Sequence, residues 1–585
     1  MIKLMRFWNK KDILNITICV IFVVGGVWLD LKMPDYMSEI TILVQTEGSK
    51  MKDILINGGY MLLCALGSLT FTVATGYLAA NISSEFSMKI RKAIFEKVGN
   101  LGMEEVKKFK TSSLITRTTN DVTQVEMLIG LGLHLLIKAP ITAVWAVTKI
   151  LNKSWEWSSI TAVAIVILLS IIAVLIKIVV PRFKIIQKLT DKLNGLTREN
   201  LNGIRVVRAF NAEKYEENKF KKVNDELTEV QLYNQKKFAI LSPVMYLVLQ
   251  GVTLAIYFSG AYIIKGALLA DKLAIFGNMV VFSSYAMQVI MSFLMLAVIF
   301  MILPRAEVSA NRINEVLDAK LTIKEGTFDK ETKEKGIVEF KNVSFKYPNA
   351  DEYVIKNISF KANKGETIAF IGSTGSGKST LINLVPRFYD ATEGEVLIDN
   401  INVKDYKTET LMNKLGYVPQ KAILFNGTVN YNISYGKSSK KITRNIIEKA
   451  IDIAQATSFV TKMDKSYSSV IAQSGTNISG GQKQRLAIAR AIAREPEIYI
   501  FDDSFSALDY KTDATLRKEL KKYTKETTSL IVAQRIGTIM NADQIIVLEK
   551  GKCVGKGTHQ ELLKTCEVYK QIALSQLSKE ELENA

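Results

Sequence analysis

The stretch Thr367–Ser379, TIAFIGSTGSGKS, decides the fold of the region around it. Residues 367–371 form a short apolar run that predicts a buried strand, and Lys378–Val385 predicts the start of a helix. Between them, Gly372–Ser379 reads GxxxxGKS, a loop whose backbone N–H groups converge on nucleotide phosphates when a strand precedes it and a helix follows. The helix N-terminus adds a partial positive charge. The stretch therefore predicts a nucleotide site in an α/β domain.

Two side chains of this motif carry specific chemistry. Lys378 is expected to hold the terminal phosphates of the nucleotide, and Ser379 is expected to ligate Mg²⁺. A Gly-rich turn without a ligand is the plain alternative, and the flanking strand and helix patterns argue against it.

The first half of the chain carries six long apolar runs. With 585 residues the chain is too long for one core, so two or more domains are expected. Each run approaches or exceeds the roughly 20 residues that cross a bilayer, and six of them argue against buried helices of a soluble protein. We predict an all-helical transmembrane domain over residues 1–303, a charged linker over 304–335 and a nucleotide-binding domain over 336–585. The predicted spans are Ile13–Asp30, Ile56–Ala80, Leu128–Ile150, Trp157–Val180, Ala239–Ile264 and Leu273–Leu303.

The formal net charge of +19 invites a nucleic-acid hypothesis, but no motif that reads DNA or RNA accompanies it. Membrane proteins keep excess Lys and Arg on their cytoplasmic side. The basic residues are dense in the loops 80–128 and 181–239, which predicts that these loops, both termini and the nucleotide domain are cytoplasmic. We expect a multi-pass protein of the cell membrane, with no nucleic-acid partner. The Lys-, Ile- and Asn-rich composition indicates a bacterium.

A few ionisable side chains fall inside the predicted spans. Lys149 and Lys177 sit near span ends, where long side chains reach the membrane interface. His134 and Lys138 lie deeper, and an intramembrane ionisable group is a candidate for function. A place for His134 and Lys138 along a pathway across the membrane therefore stays open.

Four further blocks follow a fixed order around the nucleotide loop. Tyr347 comes after a predicted strand, Tyr417–Gln420 reads YVPQ, Asn477–Gln482 reads NISGGQ, and Ile498–Asp503 is an apolar strand that ends in paired carboxylates. In this order the blocks resemble a half-transporter of the ATP-binding cassette (ABC) exporter family, with six spans and then one cassette. The resemblance covers nearly the whole length, and SGGQ downstream of GxxxxGKS is highly specific. It implies an α/β P-loop cassette with a helical subdomain around the SGGQ signature.

The cytoplasmic loops of the membrane half carry a second resemblance to these exporters. Residues 112–122, SSLITRTTNDV, and residues 203–210, GIRVVRAF, are similar to the exporters' cytoplasmic-loop patterns. The resemblance implies that short helices in these two loops couple the cassettes to the spans.

The resemblance assigns a role to each matching residue. Tyr347 would stack on the adenine of ATP, and Ser379, Gln420 and Asp502 would hold Mg²⁺. The signature would cap the ATP bound to a second cassette, because two cassettes of this family meet head to tail. The phosphate-cradling residues would be Thr374, Gly375, Ser376, Gly377, Lys378, Ser379 and Thr380, and the signature residues Ser479, Gly480, Gly481 and Gln482.

Two catalytic positions depart from the family pattern. Asp503 stands where the family usually has a glutamate as general base, and its carboxylate is one methylene nearer the backbone. A base must come within about 2.6–3.2 Å of its proton, so a shortfall of about 1 Å matters. Gln534 stands where the family has its switch histidine, and an amide donates a hydrogen bond but carries no proton. His134 is in a span and His559 lies far downstream, so neither replaces that histidine.

With the phosphate-binding residues intact, these departures predict a site that binds ATP and hydrolyses it slowly. The chain resembles the degenerate-site subunit of heterodimeric bacterial multidrug exporters. We expect an ATP hydrolase coupled to export of amphipathic or hydrophobic small molecules. Its partner would be a homologous half-transporter with an intact glutamate and histidine. A lipid or peptide exporter stays open, as does a sensor or regulatory membrane protein that holds ATP as a static ligand.

Overall fold

The computed structural model describes residues 1–46, 48–151, 154–348, 350–438 and 440–577. It divides into two compact units. The first unit comprises Met1–Gly99 and Thr111–Ala319, and the second comprises Asn100–Lys110 and Lys320–Ala585. The last residues of the predicted nucleotide domain, 578–585, lie outside the described residues.

Long helices precede the first strand of the chain, and a short 3₁₀ helix, Ile2–Phe7, precedes them. Between α4 and α5 the residues Arg117–Asp121 form a π-helical turn. The helices are α1 Lys10–Gln45, α2 Met51–Gly99, α3 Met103–Phe109, α4 Thr111–Thr116, α5 Val122–Leu151, α6 Trp155–Asn202, α7 Ile204–Ala209, α8 Glu213–Ala239, α9 Leu241–Gly266 and α10 Leu269–Leu317.

Six stretches of the described chain are helical, long and apolar enough to cross a membrane. They fall on α1, on α2, on α4 with α5, on α6, on α8 with α9, and on α10. Leucines such as Leu62, Leu63 and Leu69 of α2 are exposed, as expected for a helix that meets lipid, whereas Phe282 and Tyr285 of α10 are fully buried. The predicted six-span helical class is confirmed.

Two helices run further than the apolar pattern predicts. α1 continues past Asp30, the predicted end of the first span, to Gln45. α10 reaches Leu317 and so includes the first part of the segment predicted as a linker. Hydropathy predicts which residues meet the hydrocarbon of the bilayer, and it does not predict where a helix ends. Helical extensions beyond the membrane therefore leave no apolar signal.

The second unit contains a mostly parallel sheet, an antiparallel sheet and a group of helices. The strands are β1 Val338–Phe345, β2 Ile355–Ala362, β3 Thr367–Ile371, β4 Glu393–Ile398, β5 Ile401–Asn402, β6 Leu415–Val418, β7 Gly427–Thr428, β8 Val470–Ile471, β9 Ile498–Asp502, β10 Thr528–Val532, β11 Gln544–Glu549 and β12 Lys552–Gly557. Its helices, after α3, are α11 Lys378–Ile382, α12 Thr408–Lys414, α13 Val429–Ile433, α14 Arg444–Ile453, α15 Thr457–Val460, α16 Gly480–Ala493, α17 Tyr510–Tyr523, α18 Ile536–Ile539, α19 His559–Thr565 and α20 Glu567–Leu574.

The larger sheet has the order β12-β11-β3-β10-β9-β6, and all its neighbouring pairs are parallel except β11 with β12. The antiparallel sheet has the order β2-β1-β4-β5. β9 and β10 are buried along their whole length, which explains their near-continuous apolar sequence. The helices α13 to α16 form the predicted helical subdomain, and α16 opens at the signature.

The buried ammonium of Lys414 joins three segments of the second unit. Its Nζ donates to Thr332 Oγ1 at 3.0 Å, to Asp399 Oδ2 at 2.8 Å and to Glu497 Oε2 at 2.7 Å. Burial lowers the pKa of Lys414, but the hydrogen bonds to the two carboxylates outweigh burial and leave the pKa raised. Asp399 is itself fully buried, so its charge depends on this lysine.

We expect Lys414→Met to destabilise the second unit by about 3–5 kcal/mol, because it leaves the buried Asp399 carboxylate without a counter-charge. Lys407→Met is the matched control, since Lys407 pairs at 2.7 Å with Asp329 on an exposed surface, and its unfolding midpoint should hardly move. Pulse proteolysis of the full chain in urea, read on fragments of the second unit, measures both. Equal unfolding midpoints for the two variants would contradict the role of Lys414 as the counter-charge of Asp399.

Candidate nucleotide site

The topology of the larger sheet brings the predicted site residues to one edge. β3, β10, β9 and β6 are parallel neighbours, so their carboxyl ends lie side by side. Gly372 follows β3, Gln534 follows β10, Asp502 ends β9 and Gln420 follows β6. Ligands of open α/β sheets bind outside the carboxyl ends of the strands. The fold therefore collects in one place residues that are up to about 160 positions apart in sequence.

The loop after β3 has the backbone that its glycines predict. Gly377, the N-cap of α11, has φ of +98°, and a Cβ there would lie 3.0 Å from the Val354 carbonyl oxygen. A side chain at Gly377 would therefore be strained and crowded. Thr374 and Gly375 are exposed, whereas Ser376 is buried and its N–H donates to the Ser373 carbonyl at 3.2 Å. The exposed turn and the start of α11 form a concave row of backbone N–H groups suited to phosphates.

Lys378 lies over this loop. Its Nζ donates to the carbonyl oxygens of Gly372 at 2.7 Å and Ser373 at 2.8 Å. Burial lowers the pKa of Lys378, and the carboxylates of Asp503 and Asp502 act in the opposite direction. Lys378 is buried, and its ammonium also lies 3.5 Å from Ser376 Oγ. A buried ammonium that carbonyl and hydroxyl oxygens hold gains from a charged phosphate oxygen, so the position suits the predicted role.

Ser379 and Asp502 form the pair expected to hold Mg²⁺. Ser379 Oγ donates to Asp502 Oδ1 at 2.7 Å, and burial raises the pKa of Asp502. Among the described residues, no group of three or more His, Cys, Asp and Glu side chains could hold a metal by itself. Mg²⁺ is commonly held by one or two protein oxygens together with substrate phosphates and water. One hydroxyl and one carboxylate in contact fit that ligand set.

The Asp503 carboxylate is held by two glutamines. Asp503 Oδ2 accepts from Gln534 Nε2 at 2.7 Å and from Gln420 Nε2 at 3.2 Å. The backbone of Asp503 has φ of +47°, unusual for a residue other than glycine, and its N–H donates to the Val532 carbonyl at 3.0 Å. Burial raises the pKa of Asp503, and the hydrogen bonds from Gln420 and its other partners oppose the rise. The structure places the Gln420 amide against Asp503, and its role as a magnesium ligand stays a prediction.

Gln534 is fixed by a residue that sequence reasoning missed. The Gln534 carbonyl accepts from Gln576 Nε2 at 2.8 Å, and Gln576 Oε1 accepts from the Ile536 N–H at 2.8 Å. Gln576 lies after α20 in a polar stretch that carries no motif, so no pattern could have indicated it. This bridge holds the loop after β10 in register with the Asp503 carboxylate.

The predicted adenine-stacking residue lies among aromatic and basic side chains. The Tyr347 hydroxyl is 3.1 Å from Thr380 Oγ1, and its ring meets Tyr389 at 90° with centroids 5.4 Å apart. Lys107 of α3 places Nζ 5.2 Å from the Tyr347 ring centroid and 5.5 Å from that of Tyr389. A hydrogen bond with Tyr389 raises the pKa of Lys107. A cavity of 410 Å³ beside them is lined in part by Glu104, Phe345, Lys346 and Asp390.

The signature occupies the N-terminus of α16. Ser479 is the N-cap, its N–H donates to Gln482 Oε1 at 2.9 Å, and the Gln482 N–H donates to Ser479 Oγ at 3.3 Å. A Cβ at Gly480 would meet nothing within 4 Å, whereas one at Gly481 would lie 3.2 Å from the Ala507 carbonyl. No hydrogen bond in the described part of the chain joins these four residues to the loop at Gly372. A capped helix N-terminus suits an anion, and the binding of a second nucleotide by the signature stays a prediction.

Neither histidine takes the place of a switch residue. The His559 Nδ1 lies 2.6 Å from the Tyr569 hydroxyl at the start of α19, and burial lowers the pKa of His559. His134 lies on α5 in the other unit. No hydrogen bond in the described part of the chain joins either histidine to Asp503 or Gln534.

Comparisons with known proteins agree with this architecture. The ABC transporter transmembrane region matches residues 16–293, and the ABC transporter family matches residues 355–506. An uncharacterized ABC transporter ATP-binding protein of Mycobacterium bovis is 38% identical over 522 residues, 88% of this chain and 87% of the relative. The ATP-dependent lipid A-core flippase of Pseudomonas aeruginosa is 33% identical over 491 residues, 83% of this chain and 79% of the relative.

A solved structure shares the fold. A bacterial Atm1-family ABC exporter with ATP bound superposes with a TM-score of 0.83 at 22% identity, covering 98% of this chain and 100% of that one. Three findings lead to one conclusion: six helical stretches of the described chain that could cross a membrane, the candidate nucleotide site at the carboxyl edge of the larger sheet, and the family matches. The chain belongs to the ABC transporters and is an exporter-type half-transporter, a multi-pass membrane protein with one transmembrane region and one ATPase cassette.

Proposed function

We propose that this chain is one subunit of a heterodimeric, ATP-driven exporter of amphipathic small molecules, and that its own ATP site hydrolyses slowly. The observation that carries the proposal is the contact of Gln534 and Gln420 with one carboxylate oxygen, Asp503 Oδ2. Two amide donors already hold this oxygen, which is one of the two with which Asp503 could accept a proton from water. Gln534 itself cannot accept and return a proton at neutral pH.

The binding half of the site remains complete in this proposal. Lys378 and the N–H groups of the loop bind the phosphates of ATP, Tyr347 contacts the adenine, and Ser379 and Asp502 hold Mg²⁺. When bound, Mg²⁺ neutralises phosphate charge. What is weakened is the positioning of the attacking water, because Asp503 is shorter than glutamate and already accepts two hydrogen bonds. General-base contributions run to about 10²–10⁴-fold, so tight binding with slow turnover is the expected result.

The complete signature favours two unlike chains over two copies of this one. Ser479 caps an exposed helix end, and the signature has the hydrogen bonds that such a cap requires. In a pair with a dissimilar half-transporter, this helix end would serve a site whose glutamate and histidine are intact. The asymmetric pair would place both cassettes, both termini and the basic loops in the cytoplasm.

A lipid exporter is the second candidate. The relative of Pseudomonas aeruginosa that is 33% identical to this chain is a lipid A-core flippase, and that name belongs to the relative. A static ATP sensor is disfavoured, because a sensor has no need of a signature for a second nucleotide. Vesicle transport with hydrolysable and non-hydrolysable ATP separates a sensor from a transporter.

The heterodimer is tested by co-expression with a bacterial half-transporter from the same genome that has glutamate and histidine at the positions of Asp503 and Gln534. We expect the two chains to purify as a 1:1 complex, and we expect the complex to hydrolyse ATP at least 10-fold faster than this chain alone. Native mass spectrometry and steady-state ATPase assays give the two readouts. A homodimer of this chain that hydrolyses ATP as fast as any complex would refute the proposal.

A further inference from the structure

Two ion pairs join the transmembrane helices α1 and α5. Lys138 Nζ lies 3.1 Å from Asp30 Oδ2, and Lys149 Nζ lies 2.9 Å from Asp35 Oδ2. Each pair sums to zero charge. A charge within a membrane-spanning helix is costly and usually marks function, and Lys138 lies deep in its predicted span. Asp35 and Lys149 lie beyond or near the predicted span ends, so the Asp30–Lys138 pair is the one that needs an explanation.

The Asp35–Lys149 pair is closed by a third side chain. The Tyr285 hydroxyl of α10 lies 2.7 Å from Asp35 Oδ1 and 2.9 Å from the Leu31 carbonyl oxygen. Tyr285 is fully buried, so it fixes α10 against α1 at this level. These contacts satisfy the pair within the helix bundle, and its role is structural.

The Asp30–Lys138 pair has a different surrounding. Ser68 Oγ of α2 also donates to Asp30, and Gln288 Nε2 of α10 lies 3.4 Å from the Asp30 carbonyl oxygen. Gln288 Oε1 is buried, and among the described residues it has no hydrogen-bond partner. The same holds for Nδ1 of His134, which lies one helical turn from Lys138 on α5. Two buried polar atoms with unused capacity thus flank this pair.

The charges and their exposure limit what such a layer can bind. Asp30 and Lys138 keep 23% and 22% of their side chains exposed, and Asp35 and Lys149 keep 29% and 35%, so exposure allows a ligand to reach either pair. The unpartnered atoms of Gln288 and His134 are what distinguish the Asp30–Lys138 pair. A ligand with one charge would pair with one residue and leave the other without a counter-charge at low dielectric, which is strongly unfavourable. A ligand that carries one positive and one negative group can pair with both residues at once, so neither Asp30 nor Lys138 is left without a counter-charge. Unused acceptors such as Gln288 Oε1 favour a headgroup that also donates hydrogen bonds.

We propose that the layer of Asp30, Ser68, His134, Lys138 and Gln288 binds the headgroup of a zwitterionic amphipath. Its ammonium pairs with Asp30 and donates to Gln288, and its acidic group pairs with Lys138. Exposed apolar side chains close in sequence to the layer, Leu69 of α2, Leu136 of α5 and Met287 of α10, are available to its tail. The inference rests on the proposed export function and narrows its substrate class.

The test measures ligand binding in the absence of nucleotide. A negative result would therefore contradict the headgroup proposal without bearing on the proposed slow hydrolysis of ATP. The full chain in dodecyl maltoside is titrated with lauroyl lysophosphatidylethanolamine, lauroyl lysophosphatidylglycerol and dodecylammonium, followed by tryptophan fluorescence. Trp28 lies two residues from Asp30 on α1. We expect the zwitterion to bind about 10-fold more tightly than either singly charged amphipath, as one lost charge pair implies. Phosphoethanolamine has the same headgroup without a tail, and its binding is measured in the same way. Weak binding of phosphoethanolamine indicates a lipid as the ligand, and binding equal to that of the lysolipid indicates a free zwitterion.

Variants decide between recognition and a helix-joining role. Lys138→Met should shift the preference to dodecylammonium, and Asp30→Asn should shift it to the anionic lipid. The uncharged double variant Asp30→Asn with Lys138→Met leaves no buried charge and should fold, and it should lose the preference for the zwitterion. Lys149→Met is the matched control and should keep the wild-type order. Equal binding of the three amphipaths, or an order that the double variant retains, would overturn the proposal.

Discussion

Replacing Asp503 by Glu and Gln534 by His together is expected to raise ATP turnover at this chain's own site by about 100-fold. A general base contributes roughly 10²–10⁴-fold, and we take the lower end because Gln420 still donates to the same carboxylate in the variant. Glutamate extends the carboxylate by one methylene, and histidine removes the amide that donates to Asp503 Oδ2 at 2.7 Å. Steady-state release of phosphate by the purified chain measures the gain.

Asp503→Asn is the control for this gain. If Asp503 contributes little as a base, the change to asparagine should lower turnover by only a few-fold. In a competent site, loss of the base costs about 100-fold or more. A 100-fold loss in Asp503→Asn, with no gain in the Glu/His variant, would show that Asp503 is already an effective base.

Replacing Gly480 by Glu in the assembled pair should abolish most ATP turnover, with a loss of 100-fold or more. The added carboxylate lies at the N-terminus of α16, where the signature is expected to meet the phosphates bound to the partner. The fold should tolerate it, since a Cβ at Gly480 meets nothing within 4 Å and an acidic side chain suits a helix N-terminus.

Gly480→Ala is the matched control, because it adds a Cβ at the same place without charge, and it should keep most of the turnover.

Lys378→Ala should remove ATP binding at this chain's own site and lower turnover of the pair only several-fold. ATP affinity and turnover measured on the same preparations separate the two sites. Equal losses in Gly480→Glu and Lys378→Ala would contradict the asymmetry.

The parts of the fold that local patterns encode are predictable from the sequence. β3, the loop at Gly372 and the start of α11 follow from an apolar run, a glycine-rich loop and a lysine within thirteen positions. The six apolar helices follow from length and hydropathy alone. The ends of α1 and α10 do not, because both helices continue past their apolar runs, and hydropathy marks only the residues that meet the hydrocarbon.

Contacts between distant segments account for what the sequence leaves open. The departures at Asp503 and Gln534 are visible in the sequence, but only the fold shows that Gln534 and Gln420 contact the same carboxylate oxygen. The position of Lys107 over Tyr347 depends on α3 belonging to the second unit, although it lies in a loop of the membrane half. Gln576 supports Gln534 from a polar segment without any pattern.

Acid quench of ATP bound to the purified chain tests the central claim most directly. The chain is loaded with radiolabelled ATP and Mg²⁺, excess nucleotide is removed, and the ratio of ADP to ATP is followed over time. We predict that the bound nucleotide stays as ATP at least 100-fold longer than in the variant with Glu at 503 and His at 534. Conversion to ADP at the same rate in both proteins would contradict the account.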